Sequence, residues 1–407
     1  MSKFIISGGR ELKGTVDISG SKNAALPLIF ATLTTRGVSV IRNVPDISDV
    51  DIALELISEM GAIITRSKGD LTIRTDNLHY ARPSDALVSK IRASSYLMGA
   101  SLARFGICHL QSFGGCNFER RPIDMHVDAM RALGAYGVGD TMRVQSLVGS
   151  DIFFDKVSVG ATVNALILAS SAKGKSRIYG YAKEPHVISL AEYLSSAGAT
   201  VVFYEDRIEI EGAELSGAQA YVIADMIEAG TFLCLSLLGD SRFKIRGVSA
   251  EHLKSFFDSL TKAGAKVFCD DGEMSLCGQL SEFLNIVTEP YPGFPTDLQP
   301  QTAPLMARFC GGRITEKVWR GRFGYLAELE KFGVGYELCD GGAIIRPSIL
   351  RCADARAPDL RGGAALLMCA LSSHGRSIID SAEIIKRGYS DIVGKLRLIG
   401  AEIEERD

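Results

Sequence analysis

Ile52-Ala53-Leu54-Glu55-Leu56-Ile57-Ser58-Glu59-Met60-Gly61-Ala62 closes an apolar-faced stretch on a glycine held between apolar residues. Ile52, Leu56, Ile57 and Met60 recur at helical spacing and share one face of a helix. Gly61 suits the left-handed residue that ends it. The same ending recurs at Leu133-Gly134-Ala135, Ala197-Gly198-Ala199, Ala263-Gly264-Ala265, Phe332-Gly333-Val334 and Ile399-Gly400-Ala401, with successive glycines 64 to 73 residues apart. Endings spaced this evenly mark six copies of one supersecondary unit.

Outward from each ending, the unit repeats in full. A small-residue apolar helix comes first, over 23–34, 93–105, 161–172, 230–238, 302–309 and 362–372, punctuated by Gly37, Gly106, Gly174, Gly239, Gly311 and Gly375. A strand rich in β-branched residues follows, as in Val38-Ser39-Val40-Ile41 or Ser377-Ile378-Ile379-Asp380. The amphipathic helix comes next, and two closing strands finish the unit, as at 62–65 and 70–74, with counterparts at 207–211, 273–277 and 343–346. Each unit therefore reads βαβαββ, which places the chain in the α/β class. Such units bury their faces only against one another, and each is longer than most solenoid repeats. At 407 residues the chain exceeds one ordinary core, so two lobes of three units are expected. The switch falls near Ala224-Asp225, giving one lobe over 22–223 and a second over 1–21 and 224–407. The apolar run at 4–7 has no unit before it and is expected to complete the last one.

Hydrophobic residues make up 46% and charged residues 23%, the balance of a soluble globular protein. The formal charge of −3 argues against general nucleic-acid binding, which needs a basic surface. No apolar run is long enough to span a bilayer, and no charged-then-apolar leader opens the sequence. Nine cysteines, an odd number, point to a reduced, cytoplasmic setting. The cysteines form no Cys-x-x-Cys pair and the six histidines are dispersed, so neither a metal nor another cofactor is expected. Nothing marks an obligate protein partner.

The residues that open the first helix of each unit carry the chemistry. They include Lys22, Arg92, Lys156 and Arg361 in four of the six units. A cation there opposes the helix dipole, while the helix start itself attracts anions. Four such cations at equivalent points suggest one shared anionic ligand; solvated side chains or ion pairs with Asp155 and Asp359 are the plain alternative. Glu228 and Asp297 hold the same point in units four and five. Each reads equally well as a general base or as an N-cap. Unit two carries an insertion, Phe113-Gly114-Gly115-Cys116-Asn117-Phe118-Glu119-Arg120-Arg121-Pro122-Ile123-Asp124. Two glycines before Cys116 allow a lid, and the arginines after it favour a thiolate. The cysteine is a candidate acid or nucleophile.

These stretches together resemble the UDP-N-acetylglucosamine enolpyruvyl transferase family. The resemblance is carried by Ile18-Ser19-Gly20-Ser21-Lys22-Asn23-Ala24-Ala25, Gly114-Gly115-Cys116 with Arg121-Pro122-Ile123-Asp124, residues 155–162, Phe294-Pro295-Thr296-Asp297, Asp359-Leu360-Arg361 and Arg387-Gly388-Tyr389. It implies an inside-out α/β barrel fold of two lobes, each of three βαβαββ repeats. It implies transfer of the enolpyruvyl group of phosphoenolpyruvate to the 3-hydroxyl of UDP-N-acetylglucosamine, with release of phosphate, by addition and elimination through a tetrahedral intermediate without metal. That reaction is the first committed step of peptidoglycan synthesis. By resemblance Lys22, Arg92, Arg121, Arg361 and Arg387 hold phosphoenolpyruvate and its developing charge, Cys116 protonates the vinyl carbon, and Asp297 takes the sugar hydroxyl proton. Asn23 is implied to contact the sugar. Arg121, Pro122, Ile123, Asp124 and Met125, with Lys156, Ser158, Val159 and Gly160, are implied to line the uridine diphosphate site. Val318 and Asp359 complete the implied substrate contacts. Closure of the lobes, with the Cys116 loop as lid, would exclude water.

The chain departs from the family pattern at Phe113, at Asn117–Arg120, and at Met226, Gly321 and Lys386, where Arg, a polar residue and Asp respectively are common. A sister family transfers enolpyruvyl to shikimate 3-phosphate; it lacks the Gly-Gly-Cys loop and usually has Asp-Lys-Ser where this chain has Ser21-Lys22-Asn23. A non-catalytic UDP-sugar binder would have no chemical need for both an acid at Cys116 and a base at Asp297.

Overall fold

The computed structural model describes residues 2–111, 113–114, 122–239 and 241–407. They divide into two compact units, one of residues 20–114 and 122–223, the other of residues 2–19 and 224–407. The chain passes from one unit to the other at 19/20 and at 223/224. Ser21 N–H donates to Ile223 O at 2.7 Å, which ties this stretch to the far end of its own unit.

Five four-stranded sheets share one plan. Asp151–Phe153 runs parallel to Lys175–Tyr179, with the helix Val159–Ala169 between them in sequence. Arg207–Glu211 and then Thr200–Phe203 add antiparallel neighbours. Leu284–Thr288, Gly312–Glu316, Gly342–Arg346 and Gly335–Cys339 repeat this order. In the sheet of the sixth unit, Lys3–Gly8 lies between Gly375–Asp380 and Glu402–Arg406, so the first strand of the chain completes that sheet. Two strands exchange near the crossings. Lys13–Asp17 pairs in parallel with Arg242–Arg246, and Gln219–Tyr221 with Val38–Arg42.

The second sequence unit departs from the βαβαββ plan. Among the described residues its sheet has three strands, Ile107–His109, Thr141–Arg143 and Tyr136–Val138. Ahead of its first helix stands a turn of helix, Asp85–Val88, rather than a strand. Pro83 has no N–H to offer a ladder, and Ser84 opens the turn from extended backbone.

The small-residue helices form the centre of each unit. Lys22–Ala31, Tyr96–Phe105 and Val159–Ala169 pack on one another in one, and Met226–Leu238, Gln299–Arg308 and Leu360–Ser372 in the other. Small residues allow the close approach: a Cβ on Gly99 would lie 2.5 Å from Asn164 Oδ1. The six glycines that close the amphipathic helices all have positive φ, from 90° at Gly61 to 127° at Gly198. That region strains any residue with a Cβ, which is why the sequence shows glycine at this point six times. Among the described residues, no helix is long and apolar enough to cross a membrane.

Candidate active site

In the unit of residues 2–19 and 224–407, three elements meet at Asp297. The chain enters through Pro295 in extended backbone and turns through the short helix Thr296–Leu298, which carries Asp297. Arg322 Nη1 donates to Asp297 Oδ1 at 2.6 Å. Arg361 Nε and Nη2 donate to Asp297 Oδ2 at 3.3 and 3.2 Å. The two guanidinium side chains are 5% and 1% exposed, while Asp297 is 30% exposed, so the carboxylate is the open end of a buried cluster.

Asp359 does not pair with the Arg361 guanidinium. It caps the helix Leu360–Ser372, accepting from Arg361 N and Gly362 N, and this fixes where Arg361 leaves the helix. The Arg361 guanidinium carbon lies 5.3 Å from the Tyr389 ring centre, and Tyr389 Oη is 2.9 Å from Thr231 Oγ1. Burial opposes the Arg361 charge, but Tyr389, Asp297 and Asp225 outweigh it and hold the pKa above the ordinary arginine value. Arg361 Nη1 is buried and has no hydrogen-bond acceptor among the described residues. Arg387 caps the helix Ala382–Lys386 two residues before Tyr389 and is half-buried.

Glu228 resolves toward structure rather than reactivity. It is buried, accepts from Ser19 N at 2.9 Å and pairs with Lys395. Burial raises its pKa, opposed by Lys395. The capping role at that helix belongs to Asp225, which accepts from Ile227 N and Glu228 N.

In the unit of residues 20–114 and 122–223, Lys22 opens the helix Lys22–Ala31 and its Nζ lies 3.2 Å from Asp49 Oδ2. Asn23 follows, half-buried. Arg92 opens the 3-10 turn Arg92–Ser95 and donates to Pro122 O at 3.4 Å. Ile123, Asp124 and Met125 begin the helix Asp124–Ala132 there. Ser158 caps the helix Val159–Ala169 by accepting from Ala161 N. Lys156 stands ahead of that helix and is exposed.

The helix starts at Asp124 and Val159 meet at His126, which was not singled out from sequence. His126 is 4% exposed, and a Cβ on Gly160 would lie 2.9 Å from its Cε1. Asn164 Oδ1 accepts the Gly99 N–H at 2.8 Å, which fixes the amide orientation. Its Nδ2 therefore donates to His126 Nδ1 at 2.9 Å, and the ring proton sits on Nε2. Burial, and secondarily the charge of Arg92, push the His126 pKa down to about 4.

Val318 follows the strand Gly312–Glu316, and its N–H donates to Glu316 Oε1 at 2.9 Å. Of the departures from the family pattern, Lys386 pairs with Glu405 at 2.9 Å and Met226 is the first residue of its helix. Cys116 and Arg121 lie outside the described residues. Arg322, Glu316, Asp49 and His126 were not singled out from sequence as site residues. Only Arg322 had a signal there, lying within a run of charged and glycine residues beside Phe323.

Residues 6–396 match the family model described as EPSP synthase (3-phosphoshikimate 1-carboxyvinyltransferase), and the chain belongs to that family of carboxyvinyltransferases. Within it, the chain is 37% identical over 414 residues to the UDP-N-acetylglucosamine 1-carboxyvinyltransferase of Halothermothrix orenii, covering all of both chains. It is 38% identical to UDP-N-acetylglucosamine 1-carboxyvinyltransferase 3 of Caldanaerobacter subterraneus, covering 99% of each. Among solved structures it is similar to the enolpyruvyl transferase NikO of Streptomyces tendae, with a TM-score of 0.89, 27% identity and coverage of 100% and 99%. An EPSP synthase of Acinetobacter baumannii, 18% identical with a TM-score of 0.72 over both full chains, shares the fold.

Proposed function

We propose that this chain is a transferase that moves the enolpyruvyl group of phosphoenolpyruvate to the 3-hydroxyl of UDP-N-acetylglucosamine, with release of phosphate, as the first committed step of peptidoglycan synthesis. Full-length likeness to the relatives bearing that name supports the acceptor. The observation that carries the chemistry is the cluster at Asp297: a partly open carboxylate beside Arg361, whose Nη1 is a buried donor with no acceptor among the described residues. An unmet buried donor is unfavourable. A phosphate or carboxylate oxygen satisfies it and gains a charge-assisted hydrogen bond.

In this reading Asp297 takes the proton from the sugar hydroxyl as it attacks C2 of phosphoenolpyruvate, and Cys116 protonates C3. Phosphate then leaves the tetrahedral adduct as its C3 methyl returns a proton to the Cys116 thiolate, which restores the double bond. Lys22, Arg92, Arg121, Arg361 and Arg387 neutralise the phosphate and carboxylate. Arg361 enters already fixed by Asp359 and Tyr389, so little reorganisation is needed as charge develops. Asn23 orients the sugar. Residues 121–125, Lys156, Ser158, Val159 and Gly160 take the uridine diphosphate, and Val318 and Asp359 add substrate contacts.

The proposal extends to architecture and setting. The units are read as inside-out α/β barrels of three repeats each, with the lobe boundaries near 22 and 224. The eight described cysteines are free thiols, which suits a reducing cytoplasm.

Phosphate release is the test, measured from phosphoenolpyruvate with UDP-N-acetylglucosamine present and then absent. The expected result is release that depends on the nucleotide sugar and is abolished in Asp297→Ala. Release indifferent to the nucleotide sugar, or none at all, refutes the reading.

A further inference from the structure

Behind Asp297 lies a second, fully buried carboxyl group. Glu316, at the end of the strand Gly312–Glu316, is 1% exposed and has no cation among its hydrogen-bond partners in the described residues. Its Oε1 accepts from Thr288 Oγ1 at 2.6 Å and from the N–H groups of Val318 and Trp319, both at 2.9 Å. Its Oε2 accepts from Thr296 Oγ1 at 2.9 Å. Arg322 Nη1 then donates to Thr296 Oγ1 at 3.1 Å and to Asp297 Oδ1 at 2.6 Å.

The direction of each bond follows from donor and acceptor counts. Glu316 Oε2 accepts from Thr296 Oγ1, so the single Thr296 hydroxyl proton is committed to Glu316. Thr296 Oγ1 can then only accept from Arg322. The two hydrogens of Arg322 Nη1 are shared between Thr296 and Asp297, which sets the plane of the guanidinium against the carboxylate. The same Glu316 also pins the turn at Val318 and Trp319.

We infer that Glu316 is a positioning residue for the reaction, acting through Thr296 and Arg322 on Asp297. It touches no reacting atom. The order of donors and acceptors sets the sense of the relay, and this inference rests on the transferase reading above.

An isosteric Glu316→Gln cannot substitute. With its amide nitrogen toward Thr296, the hydroxyl proton is driven toward Arg322, donor against donor. With the amide turned over, the nitrogen meets the N–H groups of Val318 and Trp319. Either way one buried contact is lost, and a small displacement of a catalytic group costs up to about 100-fold in rate.

The test uses Thr296→Val and Thr296→Ser in the full chain, because Glu316→Gln alone risks misfolding. Both variants are checked for an unchanged melting transition and then assayed for UDP-N-acetylglucosamine-dependent phosphate release. Thr296→Val is expected to lose about 10- to 100-fold in kcat with KM for the nucleotide sugar within about twofold, and Thr296→Ser to keep most of the rate. Adding Glu316→Gln to Thr296→Val should lower kcat little further, because the relay is already cut. The inference is overturned by a Thr296→Val variant within twofold of the wild-type kcat, by a Thr296→Ser variant as slow as Thr296→Val, or by additive losses in the double variant. A wild-type chain with no such release overturns the transferase reading itself, and the positioning role with it.

Discussion

Asp297→Asn leaves two buried guanidinium groups facing an amide. Arg322 and Arg361 are 5% and 1% exposed, and three of their hydrogen bonds end on the Asp297 carboxylate. An asparagine offers one acceptor oxygen, so its NH2 is turned against the other arginine. Removing one member of a buried pair costs about 3–5 kcal/mol. Asp297 is 30% exposed, and solvent screening puts the expected loss at the lower end, roughly 3 kcal/mol. For a unit of this size each kcal/mol shifts the midpoint by about 2–4 °C, so the melting transition should fall by roughly 6–12 °C. Millimolar phosphate should recover part of that loss in the variant, because an anion replaces the missing charge, and should do so less in the wild type. If Asp297 is also the base, kcat should fall by about 10²–10⁴-fold. The assays are thermal unfolding with and without phosphate, and phosphate release at saturating substrates. A variant that melts lower yet turns over within tenfold of wild type would make Asp297 a structural anion and refute the base assignment. An unchanged melting point would refute the electrostatic argument.

Other expectations follow from single contacts. The His126 pKa of about 4 lies below the unfolded value near 6.5, so the unfolded chain binds the extra proton first as pH falls. His126 should therefore destabilise the fold progressively from about pH 6.5 to pH 4, by on the order of 3 kcal/mol in total. His126→Gln should flatten that part of the stability curve measured by denaturant titration, and an unaltered slope would show that the ring is not held neutral. In Gly230→Ala the new Cβ would lie 2.6 Å from Leu298 Cδ1 and Cδ2, next to Asp297. A loss of about 1–3 kcal/mol with a reduced kcat is expected, and a full rate would separate Leu298 packing from Asp297 placement. Gly333→Ala is the contrasting case, with φ at +93° and a Cβ 2.6 Å from Ile349 O. It should lower the melting point through strain of about 1–3 kcal/mol while leaving kcat intact; a rate loss would tie that helix end to the site.

The parts of the site that lie on one element were legible in the chain. Lys22 and Arg92 open their elements as read, and the six glycines mark helix ends because a positive φ selects glycine locally. Asp297 and Glu228 looked equivalent in sequence, and only packing separated them. Glu228 is buried against Lys395, whereas Asp297 stands partly open between two arginines. Arg361 and Asp297 are 64 residues apart, and no periodicity within either helix reports that they meet. Glu316 ends an ordinary strand and His126 begins an ordinary helix, so neither differs locally from its counterparts in other units.

The sequence by itself determined the repeat, the helix starts and stops and the pairing of small residues with glycine punctuation, since each of these is set by backbone conformation over a few residues. It also carried the motifs shared with the carboxyvinyltransferases. Tertiary structure alone decided which strand joins which sheet, including the exchange of Lys13–Asp17 and Gln219–Tyr221 near the crossings. It also decided which charges are paired, buried or left with a spare donor. Those outcomes depend on solvent exclusion and on distances between distant segments, and both arise only when the helices and sheets of a unit close on a common core.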